Sequence, residues 1–266
     1  MPLPRRSLLS GAVRLAAALG LAGGLAPGAA RSAAPDPASV PAPDPALEDP
    51  AARLRRRLEI CRPPGDPLAE LLRRNAAFAA VWQEAAASGD PVERARLLQE
   101  HGALHCQVRP AALAEGQRPW AAVLGCADSR VAPDWLFAAG SGELFEVRCA
   151  GNTPFAAGIA SLEYAVAELQ VPLILVLGHG GCGAVTAALR PDPLTPLLEE
   201  LVAPIRAALE PLPGIPALAV AVAANARATA LALPRRSPLL AAAQASGRLQ
   251  IAAAVADIAS GRVTPL

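Results

Sequence analysis

The sequence predicts an α/β fold: a mostly parallel central sheet flanked by helices, with a helical arm on its amino-terminal side. Residues 121–124 and 173–177 are short apolar runs closed by Gly125 and Gly178, the pattern of parallel strands covered on both faces. Between them the stretch SLEYAVAELQ has a helix-forming composition, so strand, helix, strand is the most economical order. A third observation puts chemistry on this frame. Cys126, Asp128, Arg130, His179 and Cys182 all follow the two runs, at the carboxyl ends of strands where open α/β sheets gather their ligands.

Taken in order, the chain opens with Arg5 and Arg6, an apolar stretch at 15–25, and the small residues Gly28, Ala29 and Ala30. Charged, apolar, then cleavable is the order of a signal peptide, and the paired arginines resemble the twin-arginine type over residues 1–34. The apolar stretch is too short to anchor the chain, so no stable membrane insertion is expected after its removal. The mature protein is expected in the periplasm or otherwise exported. Residues 35–50 are Pro, Ala and Asp with almost nothing large and apolar, the composition of an extended linker.

Residues 51–266 form one domain of ordinary size. Its first part, 51–102, reads as amphipathic helices through Leu54, Leu58, Leu68, Leu71, Leu72, Phe78 and Trp82. Further helices are expected over 194–209 and 216–233. The apolar run ALAVAVAANARATALAL in the second holds Asn225 and Arg227 at its middle, which suits a core helix better than a span through lipid. Basic and acidic residues number 24 and 23, with no lysine among the bases. That near balance argues against a nucleic-acid partner. His101 and His105, four apart with no acidic partner in the metalloprotease pattern, are read as surface histidines. Cys61 and Cys106 could pair as a disulfide in an exported protein.

The cluster after the two strands carries the chemistry. His179 and Cys182 sit on one strand-to-helix turn, and Cys126 arrives from the neighbouring strand end. Two thiolates and an imidazole are the ligand set zinc prefers, and three protein ligands leave a fourth position for water or substrate. Asp128 is the nearby alternative for that fourth place. A carboxylate so close to a guanidinium can instead be held bidentately by Arg130, and then serves to orient a water at the metal.

These residues carry a resemblance: CADSR followed by HGGC resembles the C-x-D-x-R and H-x-x-C signature of the beta-class carbonic anhydrases. LRRNAAF and GQRP upstream, then GELFEVRCAGN, SLEYAV, GHGGCGAV, SPLL and GRLQIAAAVADIASGRV, follow in the order usual for that family. The resemblance covers roughly Leu71 to Leu266. It implies the family's fold and Zn2+ held by Cys126, His179 and Cys182. It also implies reversible hydration of carbon dioxide to bicarbonate and a proton, with Asp128 and Arg130 as the catalytic pair. Asp128 would join the metal only in a closed form.

By the same resemblance the substrate pocket comprises Gln117, Phe145, Ala150, Tyr164 and the backbone at Gly183, part of it supplied by a second subunit of a homodimer or higher even oligomer. A hydrolase of carbonyl sulfide or carbon disulfide, a non-catalytic zinc protein and a thiol redox protein are the competing readings. The last lacks a C-x-x-C pair. Two departures from the family pattern stand out. Cys149 replaces the usual Asn of R-N-A-G-N, and Val123, Arg148 and Ala256 occupy positions where some members build a second, inhibitory bicarbonate site from Trp, Arg and Tyr. With only the arginine kept, an open site with Asp128 on Arg130 is expected, without cooperative inactivation by bicarbonate.

Overall fold

The computed structural model describes residues 62–63, 65–102, 106, 108 and 110–266. The expected signal peptide and linker, residues 51–61 of the helical stretch expected over 51–102, Cys61 and His105 lie outside the described residues. The described chain runs α1 (Pro67–Ala87), α2 (Pro91–Gly102), α3 (Pro110–Glu115), β1 (Ala121–Cys126), α4 (Pro133–Leu136), β2 (Leu144–Cys149), a 3-10 turn (Ala150–Asn152), α5 (Ala156–Ala167) and β3 (Leu173–His179). It continues through α6 (Gly183–Ala188), α7 (Pro196–Leu209), α8 (Leu218–Arg236), α9 (Pro238–Ala245), β4 (Gln250–Ala256) and β5 (Val263–Pro265).

Local chemistry starts several of these helices. Asp66, Thr195 and Ser237 each precede a proline at the first helical position. Each side-chain oxygen accepts a backbone N–H of the first turn, from Leu68 at 3.0 Å, Leu198 at 3.4 Å and Leu240 at 3.1 Å. The proline gives up an N–H that a helix start leaves unpaired anyway, and the cap satisfies another.

The sheet has the order β2-β1-β3-β4-β5, with three parallel pairings and a final antiparallel one between β4 and β5. Side chains alternate between two cores, as a pleated strand requires. Ala121, Val123, Leu173, Leu175 and Leu177 pack with Leu71, Phe78, Leu136 and Phe137 on the face covered by α1. Ala122, Leu124, Ile174 and Val176 pack with Leu162, Val166, Ala226, Leu233 and Leu240, under α5, α8 and α9. Both central strands are buried throughout, as the unbroken apolar runs require.

Each central strand runs two residues past its apolar run. Pairing of Cys126 with Cys149 and of His179 with Ala256 carries the ladder on, so Cys126 and His179 are the last residues of β1 and β3. The helix expected over 216–233 is α8, set two residues later at its start and ending at Arg236. It buries Ala221, Val222, Asn225, Ala226, Thr229 and Leu233 and leaves Arg227 exposed, so it is a core helix. No helix among the described residues is long and apolar enough to cross a membrane.

The helical arm is fastened by buried polar groups. Asn75, 2% exposed, donates to Leu136 O at 3.1 Å and Gly261 O at 2.9 Å and accepts from Val263 N at 2.7 Å. The fully buried Glu143 accepts from Arg74, from the Trp120 indole and from Gly140 N. The surface expectation for His101 is corrected. It is 5% exposed and its ring centroid lies 5.6 Å from that of Phe78, because α2 packs against α1 and turns that face inward.

Candidate metal centre

β1 and β3 are hydrogen-bonded neighbours, so the residues that end them meet. Cys182 joins them through a turn at Gly180 and Gly181. Gly181 has φ +66°, a conformation glycine adopts without penalty, and Gly180 N donates to Ala256 O at 2.9 Å, pinning the turn to the end of β4. One ligand atom each from Cys126, His179 and Cys182 lies within 4.8 Å of the others, and all three residues are buried.

The set fits zinc on its own geometry. The two sulfurs are 4.0 Å apart, close to the ~3.8 Å that two thiolates about 2.3 Å from a tetrahedral ion would span. His179 Nδ1 faces Gly180 O at 3.0 Å, and its Nε2 is buried without a hydrogen-bond partner. A carbonyl on one ring nitrogen directs the other to a metal, and such an outer partner is what orients a metal-binding histidine. An orphaned buried nitrogen needs an explanation, and a cation among these three atoms supplies it.

The charges agree. Hydrogen bonding from Cys182, against the opposing effect of burial, and with help from the nearby His179 ring and the N–H of Gly151, holds the Cys126 thiol well below its ordinary value. Cys182 is pushed up by its hydrogen bond to Cys126 and by burial: two sulfurs this close share one proton, and Cys126 ionises first. Burial disfavours the His179 cation, but the Cys126 sulfur, the Gly180 carbonyl and the Asp128 charge together outweigh it, and the imidazole is raised overall. A cluster that holds thiolate and extra protons together is one from which a metal ion displaces protons on binding.

Asp128 lies on Arg130. The guanidinium donates to both carboxylate oxygens, at 2.9 and 2.7 Å, and the Arg130 N–H adds a third bond at 3.0 Å. Arg130 first, through those bonds, holds the Asp128 carboxyl well below the usual carboxylate range. Asp128 Oδ2 stands 3.8 Å from His179 Nε2. Arg130 also donates to Gly181 O at 3.2 Å, so the same guanidinium ties the two loops of the site together.

Arg148 does not present a free guanidinium. It donates to the carbonyls of Cys126, Asp128 and Val131 at 3.0, 2.8 and 2.9 Å and braces the loop that carries Asp128. Val123 and Ala256 are buried and apolar. Cys149, whose thiol is pushed up by burial, contacts Thr153 O and Oγ1 at 3.4 Å.

Of the expected pocket residues, Ala150 and Gly183 are at the cluster. Ala150 opens the 3-10 turn whose Gly151 N–H reaches Cys126 Sγ at 3.2 Å, and Gly183 opens α6 directly after Cys182. Gln117, Phe145 and Tyr164 are not brought there. Gln117 is exposed and precedes β1, and five residue steps along the strand take Ala121 to Cys126, ~16 Å. Phe145 is near the amino end of β2, four residues before Cys149. Tyr164 is 49% exposed and its ring centroid is 6.3 Å from that of Phe145. The three belong to the opposite end of the sheet.

Two contacts beside the cluster escape a reading of the sequence: the Gly151 N–H on Cys126 Sγ, and Asn225 on α8, whose Nδ2 donates to Gly151 O at 2.8 Å. The one available signal was a polar residue in the middle of an apolar helix.

The sequence matches the family described as carbonic anhydrase over residues 121–263. It is similar to carbonic anhydrase 2 of Mycobacterium tuberculosis, 57% identical over 79 residues, which are 30% of this chain and 38% of that protein. A carbonic anhydrase of Pseudomonas aeruginosa is 38% identical over 168 residues, 58% of this chain and 76% of that protein. The chain therefore spans 38% of the length of the first relative. Among solved structures, one from a study of two tetrameric beta-carbonic anhydrases of Sordaria macrospora aligns at a TM-score of 0.54 and 26% identity, covering 59% of this chain and 84% of that one.

Proposed function

The chain belongs to the beta-class carbonic anhydrase family, and from that premise we propose that it hydrates carbon dioxide reversibly to bicarbonate and a proton, with zinc as its cofactor. Zinc held by Cys126, His179 and Cys182 would supply the Lewis acidity that brings the pKa of a water from 15.7 to about 7. The rest is the work of the protein's own side chains. Asp128, ionised at neutral pH, accepts a hydrogen bond from the attacking water and so fixes where its lone pair points. Arg130 occupies both carboxylate oxygens and keeps Asp128 at that station.

A carboxylate held so acidic is a poor proton store. Asp128 therefore orients the water, and the proton released leaves toward solvent. Val185, Val202, Ile205 and Val222 pack around the two cysteines, and an apolar wall strengthens every charge interaction inside it. The observation that carries the reading is the bidentate Asp128–Arg130 pair standing 3.8 Å from the orphaned His179 nitrogen.

Stopped-flow hydration of carbon dioxide, run beside hydrolysis of carbonyl sulfide by the same zinc-loaded protein, tests it. Carbon dioxide should be turned over far faster. A preference for carbonyl sulfide would replace this reading with the hydrolase on the same scaffold.

Two wider features belong to the proposal. The protein is a homodimer or a higher even oligomer, a reading supported by the position of Gln117, Phe145 and Tyr164, too far from this chain's own cluster to line it and so available to a neighbouring subunit's site. It is also exported, as the order of residues 1–34 suggests, and replacement of both Arg5 and Arg6 by Lys should leave it in the cytoplasm with the amino terminus uncleaved.

A further inference from the structure

Asn225 is 1% exposed, on the buried face of α8 among Ala221, Val222, Ala226 and Thr229. An amide there is costly unless it is paired, and its Nδ2 donates to Gly151 O at 2.8 Å. The other end of Gly151 faces the metal cluster, with its N–H on Cys126 Sγ at 3.2 Å. One residue thus links a helix-borne amide to a candidate metal ligand.

Gly151 has φ +75°, and a Cβ there would come within 2.8 Å of Ile205 Cδ1 and 3.0 Å of Ala184 Cβ. The position therefore requires glycine, and a glycine has no side chain to hold its own orientation. The neighbouring restraints act elsewhere: Ala127 N bonds Cys149 O, and Arg148 grips the carbonyls of Cys126, Asp128 and Val131.

We propose that Asn225 is a positioning residue of the metal centre: by holding Gly151 O, its amide keeps the Gly151 N–H aimed at the Cys126 sulfur. This rests on the reading of Cys126, His179 and Cys182 as zinc ligands. An N–H donor on a thiolate withdraws electron density from sulfur and fixes where it stands. Without Asn225 the turn is free to pivot at Gly151, and the sulfur loses both.

The test uses the full chain, apo and loaded with zinc or cobalt. Asn225→Leu removes the donor at similar volume, and Asn225→Ala does so with less crowding should the leucine prevent folding. Thr229→Val, one turn along the same buried face, serves as the control. In cobalt-loaded protein the thiolate-to-metal charge-transfer band should move to longer wavelength in the Asn225 variants, and zinc affinity measured against a chelator should fall by about 10–100-fold, the usual effect of losing an outer-shell partner. The control should match the wild type in both.

Folded Asn225 variants with an unmoved band and unchanged zinc affinity would overturn the assignment, as would an equal shift in Thr229→Val. A wild-type protein with no thiolate-to-cobalt band would instead overturn the metal-centre reading itself.

Discussion

At the scale of single residues, Arg130 and Glu146 make opposite demands on charge. Arg130 is not one of the expected ligands, so Arg130→Ala should keep zinc near the wild-type stoichiometry while hydration falls by about 10²-fold; a wild-type rate in that variant would make the pair merely structural. Glu146 on β2 is pushed up from 4.5 to about 7, by burial first and then by the charge of Asp134, with Arg148 pulling the other way. Its folded pKa is above the unfolded one, so the folded protein binds more protons between about 4.5 and 7. Stability is therefore lost as pH rises through that window and is level above it. Glu146→Gln should flatten that slope and leave the protein more stable at pH 8, by about 1–2 kcal/mol once partial solvent exposure is allowed for. Urea titrations at pH 5 and 8 read both; equal slopes in the two proteins would contradict this account of Glu146.

At the scale of elements, Asn75 is the buried polar tie between α1 and the carboxyl-terminal strands, beside the Trp82 and Gln83 bonds to the turn before β5. Asn75→Leu would orphan the carbonyls of Leu136 and Gly261 and the N–H of Val263, a loss of about 2–4 kcal/mol, read as a lower urea midpoint with an unchanged m-value. A drop below 1 kcal/mol would show that water replaces the amide. What the sequence made legible here was what local pattern encodes. The apolar runs gave the strands, and Cys126, His179 and Cys182 were readable because strand ends and a three-residue spacing bring them together by chain geometry alone. His101 was misread because its burial depends on α2 packing against α1, which no local pattern records. Gly151 and Asn225 are 74 residues apart, and their contact is set by how α8 lies across the sheet. Gln117, Phe145 and Tyr164 carried the family motif, but motif order does not say which end of a sheet a residue reaches.

At the scale of the whole molecule, the cluster of Cys126, His179 and Cys182 at one end of the sheet, with the expected pocket residues Gln117, Phe145 and Tyr164 at the other, leads to the proposed assembly in which copies complete each other. Light scattering should return an even multiple of the chain mass, and an active monomer would contradict it. Hydration is expected to run on zinc at Cys126, His179 and Cys182. The metal can be stripped with a chelator and zinc returned in measured fractions of an equivalent while carbon dioxide hydration is followed by stopped flow. Activity should rise in proportion to zinc, stop rising at one equivalent per chain, and stay absent in His179→Ala. A protein that holds one zinc per chain without hydration above buffer, or one whose rate ignores the zinc returned, would rule out zinc at these residues as the seat of hydration.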